Sequence, residues 1–246
     1  MPPSSYSRVS YQFGPGPLTP AVKVLLIANT VLFLAQAVVP EITVFGGLTP
    51  AAVVESLWLW QPFSYMFLHA GLSHLVFNML ALWMFGVEIE RLWGTQAFAR
   101  FYVFCGLGAA AATLVASLLP FGFASFLYTT PTVGASGAIY GLLAAFGTLF
   151  ANRPIYMYFL FPVPARIFVL ITGAISLLLS VTSSGGGMAH IAHLGGLLTG
   201  WLLLMKGRGG LSAELKYRYT KWRLQRARKR FDVHQGGRRG GGWNVH

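Results

Sequence analysis

A small set of polar side chains interrupts stretches of this sequence that are otherwise almost wholly apolar. His69, Ser73, His74 and Asn78 fall in one such stretch, Ser136 and Tyr140 in another, and His190 and His193 in a third. A serine hydroxyl is a weak nucleophile until a neighbouring base accepts its proton, and an imidazole within hydrogen-bond reach is the usual solution. Acyl transfer also needs donors aimed at the developing oxyanion, and loss of one such donor costs about 10²–10³ in rate. Ser136 as nucleophile, a histidine as base, and the side chains of His74 and Asn78 with the Ser136 backbone N–H as donors would satisfy both needs. The acidic residues Glu41, Glu55, Glu88, Glu90, Glu214 and Asp232 all lie away from these stretches. A Ser-His dyad is therefore expected rather than a triad. Tyr140, one helical turn after Ser136, is placed to stack on the imidazole.

The elements that position these groups are read from hydropathy. The 246-residue chain is 55% hydrophobic and only 10% charged, with a mean hydropathy of +0.60. Soluble domains carry about a quarter charged residues, so the composition is that of an integral membrane protein. Crossing a bilayer takes about 20 apolar residues. Stretches near 22–39, 63–87, 98–119, 133–150, 166–181 and 188–205 approach that length, which predicts an all-α bundle of six transmembrane helices. Residues 1–20 read as a short flexible arm without an apolar leader, 21–206 as the membrane domain, and 207–246 as a basic tail.

Charge gives the orientation. Of the 18 Lys and Arg residues, twelve fall between Lys206 and Arg239. The others are Arg8, Lys23, Arg91, Arg100, Arg153 and Arg166. With six spans every one of them lies on a single side, and the positive-inside rule makes that side, with both termini, cytoplasmic. The three connections on the other side (about 40–62, 120–132 and 182–187) contain no Lys or Arg. The polar groups then collect in the outer half of the membrane, where a shared, water-accessible site is expected, because polar residues in spans face protein or a cavity. The first outer loop, rich in Trp and Leu, is read as lying in the membrane interface. The tail, with its basic residues interleaved with Trp222 and Phe231, is expected near anionic lipid headgroups. That reading is favoured over nucleic-acid binding.

Two G-x-x-x-G pairs, Gly137/Gly141 and Gly196/Gly200, allow close backbone approach between helices in lipid. They make the fourth and sixth expected spans the pair most able to touch, and those spans carry Ser136 and the two late histidines. Spacing alone does not choose between His190 and His193. The lone Cys105 is expected to be a buried packing residue; it permits no intrachain disulfide, and no cysteine metal-ligand spacing exists.

These pieces together resemble the rhomboid intramembrane serine proteases. The matching segments are HAGLSHLVFN (69–78), GASGAIYG (134–141), AHIAHLGG (189–196) and GVEIERLWG (86–94), and the likeness covers roughly residues 20–205. The resemblance implies Ser136 as nucleophile and His190 as general base. It implies His74 and Asn78 in the oxyanion hole, Tyr140 against His190, and Gly134 in support. His193, where some members have Gly, is then read as structural, His69 as a loop anchor, and Glu90 and Arg91 as structural residues of the inner loop. The implied activity is cleavage of the transmembrane segments of other proteins near the outer surface, without metal or cofactor, in a bacterial inner membrane. The rival readings are a non-catalytic relative that binds membrane helices, which would lack the serine or histidine, and a small transporter, which would carry polar residues through its full thickness.

Overall fold

The structure is a computed structural model that describes residues 14–120, 124–157, 161–182 and 187–207. The arm expected at the amino terminus lies largely, and the basic tail almost wholly, outside those residues. What is described is mainly helical. In chain order the helices are α1 (Pro20–Val38), α2 (Glu41–Gly46), α3 (Pro50–Glu55), α4 (Gln61–Ser64), α5 (Leu72–Ala81) and α6 (Val87–Trp93). They continue with α7 (Thr95–Ser117), α8 (Ala124–Thr129), α9 (Ser136–Leu149), α10 (Ala165–Thr182) and α11 (Gly187–Gly207). A short antiparallel hairpin, β1 (Pro154–Met157) and β2 (Phe161–Pro164), joins α9 to α10 and was not foreseen from the sequence.

Among the described residues three helices are long and apolar enough to cross a membrane: Pro20–Val38, Leu72–Trp93 and Thr95–Ser117. The segments Ser136–Leu149, Ala165–Leu179 and His190–Met205 are shorter apolar helices. The chain is a membrane protein by these helices. Leu72–Trp93 combines α5 and α6 through a π-helical turn at Leu82–Gly86. It begins nine residues later than the second expected span, because 61–71 form only the short α4 and a 3₁₀ turn, Tyr65–Phe67. Pro62 sits at the start of α4, where its missing N–H does no harm. Apolarity alone cannot distinguish such broken, partly buried chain from the helix that follows it.

α9 lies at the centre. Most of its residues from Gly137 to Phe146 are buried, and it packs against α7 and α10. The core around it holds Tyr65, Met66, Phe98, Tyr102, Cys105 and Leu142, all with almost no exposure. Cys105 is free and buried, as expected of a packing residue.

Glu90 fastens the other end of the molecule. Its carboxylate accepts hydrogen bonds from the N–H groups of Ala21 (2.9 Å) and Val22 (3.0 Å) and the hydroxyls of Thr19 (2.5 Å) and Thr95 (2.7 Å). The first turn of a helix leaves its N–H groups without intrahelical partners, and here a carboxylate from α6 fills that role for α1 while also holding the start of α7. Charge-assisted bonds of this kind are roughly twice as strong as neutral ones. Arg91 reaches the other way, to the carbonyls of Pro15 and Pro17. Both residues are structural, as the sequence suggested.

Facing segments at the opposite end are the loops around α2–α4. Trp58 stacks on Trp60 at 5.4 Å, Trp60 donates its indole N–H to the Phe45 carbonyl at 2.9 Å, and Leu57, Leu59 and Phe63 remain exposed. An exposed apolar surface of this kind suits the boundary between water and lipid.

Candidate active site

Ser136 opens α9, and the segment before it is pinned on two sides. Leu48 and Thr132 exchange backbone hydrogen bonds of 2.9 Å in an isolated antiparallel bridge, and the Gly134 N–H donates to the Tyr65 carbonyl at 2.9 Å. Tyr65 is itself held, its hydroxyl donating to the Gly106 carbonyl at 2.7 Å. Gly134 has φ +131°, a conformation that side-chain-bearing residues rarely adopt. A Cβ there would also lie 2.8 Å from Cε1 and 2.9 Å from Nε2 of His74, and 3.5 Å from Ser136 Oγ. The imidazole of His74 and the serine hydroxyl therefore border the same small space, which only a glycine leaves open.

The histidine that meets Ser136 is His193. Its Nε2 lies 2.7 Å from Ser136 Oγ. Tyr140 stacks on His193 with ring centroids 4.2 Å apart and planes within 5°. Both partnerships expected of His190 thus belong to His193 instead. His190 stands one turn earlier on α11, edge-on to His193 at 5.7 Å, with its Nδ1 buried and without a partner among the described residues.

The reason lies in the glycines. A Cβ on Gly196 would come within 1.8 Å of the Gly137 carbonyl oxygen, and one on Gly200 within 2.7 Å of Gly141 Cα. The two G-x-x-x-G pairs meet in register, 137 against 196 and 141 against 200. That register sets Ser136 level with the residues just after His193, and His190 a further turn of roughly 4.5 Å away along the axis. The same pairing is available in the sequence. Aligning the two glycine motifs offsets the helices by one fixed number of residues and brings His193, not His190, nearest to Ser136.

His74 and Asn78 share one face of α5, four residues apart. The His74 Nδ1 accepts from the Ala70 N–H at 3.5 Å, which leaves the proton on Nε2, the nitrogen nearest Gly134. Asn78 is 7% exposed, and its buried Nδ2 donor has no partner among the described residues. A buried unsatisfied donor costs about 1–3 kcal/mol, a cost that an incoming acceptor would relieve. His69 is also buried. Its backbone N–H donates to Gln36 Oε1 at 3.0 Å, the Gln36 amide donates back to its carbonyl at 3.4 Å, and its ring abuts His74 edge-on at 5.1 Å. That is a loop tied down beside His74.

One contact was not anticipated. Ser176 on α10 donates its hydroxyl to Tyr140 Oη at 3.0 Å. A serine in a leucine-rich helix gives no sign of its partner unless its place on the buried stripe is known. Among the described residues no group of three or more His, Cys, Asp or Glu side chains is arranged to hold a metal.

Fold and site together define a helical membrane protein in which a serine at a helix start and an imidazole from a parallel helix meet beneath a glycine seam. The Rhomboid domain profile matches residues 57–208, and the chain belongs to this family of intramembrane proteases. It is 35% identical over 171 residues to RHOMBOID-like protein 6, mitochondrial, of Arabidopsis thaliana, covering 67% of this chain and 50% of that one. It is 30% identical over 163 residues to Rhomboid protease GluP of Bacillus subtilis (64% and 27%). It is 35% identical over 143 residues to Rhomboid protein 1, mitochondrial, of Saccharomyces cerevisiae (55% and 38%). The chain spans about half the length, or less, of these relatives.

Proposed function

We propose that the protein is an intramembrane serine endopeptidase that cleaves transmembrane segments of other membrane proteins near the outer surface. Ser136 is the nucleophile and His193 the general base. The observation that carries this reading is the 2.7 Å approach of His193 Nε2 to Ser136 Oγ. Ser136 Oγ attacks the scissile carbonyl carbon as His193 Nε2 takes its proton. The oxyanion is held by the N–H of His74, the amide of Asn78 and the backbone N–H of Ser136. His193 then delivers its proton to the leaving amine, the C–N bond breaks, and an acyl-enzyme remains. Water attacks the ester with His193 again as base, releasing the carboxylate product and free Ser136. No metal or cofactor enters these steps.

The bundle has six spans with both termini cytoplasmic. The support is the distribution of Lys and Arg, with none in the three outer connections. α9, at 14 residues, is shorter than Pro20–Val38, Leu72–Trp93, Thr95–Ser117, α10 and α11, about 21 Å against a hydrocarbon core of about 30 Å. Its first residue, Ser136, is thereby set below the membrane surface, within reach of water from outside. The basic tail lies along anionic headgroups. The host membrane is read as a bacterial inner membrane, although the relatives include mitochondrial as well as bacterial proteins.

Labelling of the detergent-solubilised full chain with a fluorophosphonate tests the assignment. Wild type is expected to label and Ser136→Ala not to; equal labelling of the two overturns the proposal.

A further inference from the structure

A histidine that acts as a base must be held in orientation, and His193 lacks the usual means. Its Nδ1 is buried, and among the described residues no carboxylate or carbonyl bonds it to fix the ring from behind. What locates the imidazole is Ser136 at Nε2 and the face of Tyr140, parallel to within 5° at 4.2 Å. A stack resists tilting, but it slides easily in its own plane unless the stacking ring is itself anchored. The anchor is at the far end of Tyr140, where the Ser176 hydroxyl donates to Oη at 3.0 Å.

The setting of Ser176 singles it out. Its neighbours Ile175, Leu177 and Leu178 are more than half exposed, whereas Ser176 is 1% exposed. It lies three residues beyond Gly173 on the inward stripe of α10. A hydroxyl buried in an apolar helix is costly unless bonded. It could satisfy itself on its own helix, as Thr172 does with the carbonyls of Phe168 and Val169. Ser176 instead reaches across to Tyr140.

We infer that Ser176 is a positioning residue that ties α10 to the base: its hydroxyl fixes Tyr140, and Tyr140 fixes the plane and lateral position of His193 against Ser136. The inference rests on the reading of Ser136 and His193 as the reacting pair. It makes α10 part of the site without touching the reacting atoms. Any displacement of the outer half of α10 that breaks the 3.0 Å bond releases the tyrosine, and with it the imidazole.

The test is the second-order rate constant of fluorophosphonate labelling on the full chain, below its unfolding temperature, for Ser176→Ala, Ser176→Thr, Tyr140→Phe and the Ser176→Ala/Tyr140→Phe double variant. Losing one hydrogen bond that positions the base is expected to slow labelling roughly 3- to 10-fold in Ser176→Ala. Tyr140→Phe should match it, the double variant should be no slower than either single one, and Ser176→Thr should recover the rate. A merely structural role would lower the unfolding temperature without this non-additivity. Wild-type labelling by Ser176→Ala, or slowing that adds in the double variant, overturns the inference. Ser136→Ala separates the two claims. If it fails to label while Ser176→Ala labels normally, the dyad stands and the link to α10 falls; if it labels like wild type, the dyad itself is wrong.

Discussion

Replacing Gly196 by alanine adds a single methyl group at the tightest point between α9 and α11. Built on the existing backbone, that carbon would sit 1.8 Å from the Gly137 carbonyl oxygen, 2.7 Å from its carbonyl carbon and 3.3 Å from Gly137 Cα. Ordinary contact begins near 3.4 Å. All three atoms are backbone of Gly137 within α9, so no flexible side chain can swing away, and the helices must separate by about 1.6 Å to restore normal packing distance. Ser136 immediately precedes Gly137, and His193 is less than one turn before Gly196. Opening the seam there stretches the 2.7 Å Ser136–His193 contact to about 4 Å, beyond any useful hydrogen bond. A misplacement of about 1 Å can cost about 10²-fold in rate, and overpacking costs about 1–3 kcal/mol of stability. Gly196→Ala should therefore label with a fluorophosphonate about 100-fold more slowly and unfold at a lower temperature in detergent. Gly173→Ala is the control, since its Cβ would meet only the tip of Leu197 at 3.3 Å and should change little. Wild-type labelling by a well-folded Gly196→Ala protein would refute the argument that the glycine seam sets the distance between nucleophile and base.

The remaining predictions concern single groups. His193→Gln should lower the cleavage rate of a reconstituted transmembrane substrate by about 10²–10⁴-fold, whereas His190→Gln should stay within about threefold of wild type; the reverse order would restore His190 as the base. Asn78→Ala should cut kcat by about 10²–10³-fold with KM little changed, as expected when a donor acts only on the oxyanion, and a pure KM effect would exclude that role. Glu90→Ala removes the acceptor of four hydrogen bonds at a site 2% exposed. It should cost about 3 kcal/mol or more of stability, read as a fall in unfolding temperature, while the folded fraction keeps its labelling rate.

Much of this architecture was legible in residue types and spacing. The serine in a small-residue motif, the two glycine pairs and the apolar runs at the first and third spans led directly to α9, the α9–α11 contact, α1 and α7. The sequence reading set His190 against Ser136, where the structure has His193 at 2.7 Å; the two are three residues apart on one helix, so both face the same side and motif order alone does not rank them. Helix register ranks them, and register follows from glycine facing glycine. The start of α5 was placed too early because 61–71 are as apolar as the helix they precede, and hydropathy does not report where backbone hydrogen bonds break. The β1–β2 hairpin spans Pro154–Met157 and Phe161–Pro164, strands of only four residues each, too short for any alternation of apolar and polar residues to declare itself. The Ser176–Tyr140 bond joins residues 36 positions apart, a tertiary partnership that no local pattern encodes.

When His193 takes up a proton it becomes a cation lying flat against an electron-rich surface. The parallel, stacked phenol ring at 4.2 Å offers its negative face to that charge, an attraction of about 1–2 kcal/mol in a desolvated place. On the proposed chemistry Tyr140 has two separable duties: its oxygen sets where the imidazole rests, and its ring answers the charge the imidazole acquires. Phenylalanine at 140 would keep the second and lose the first, and leucine would keep neither.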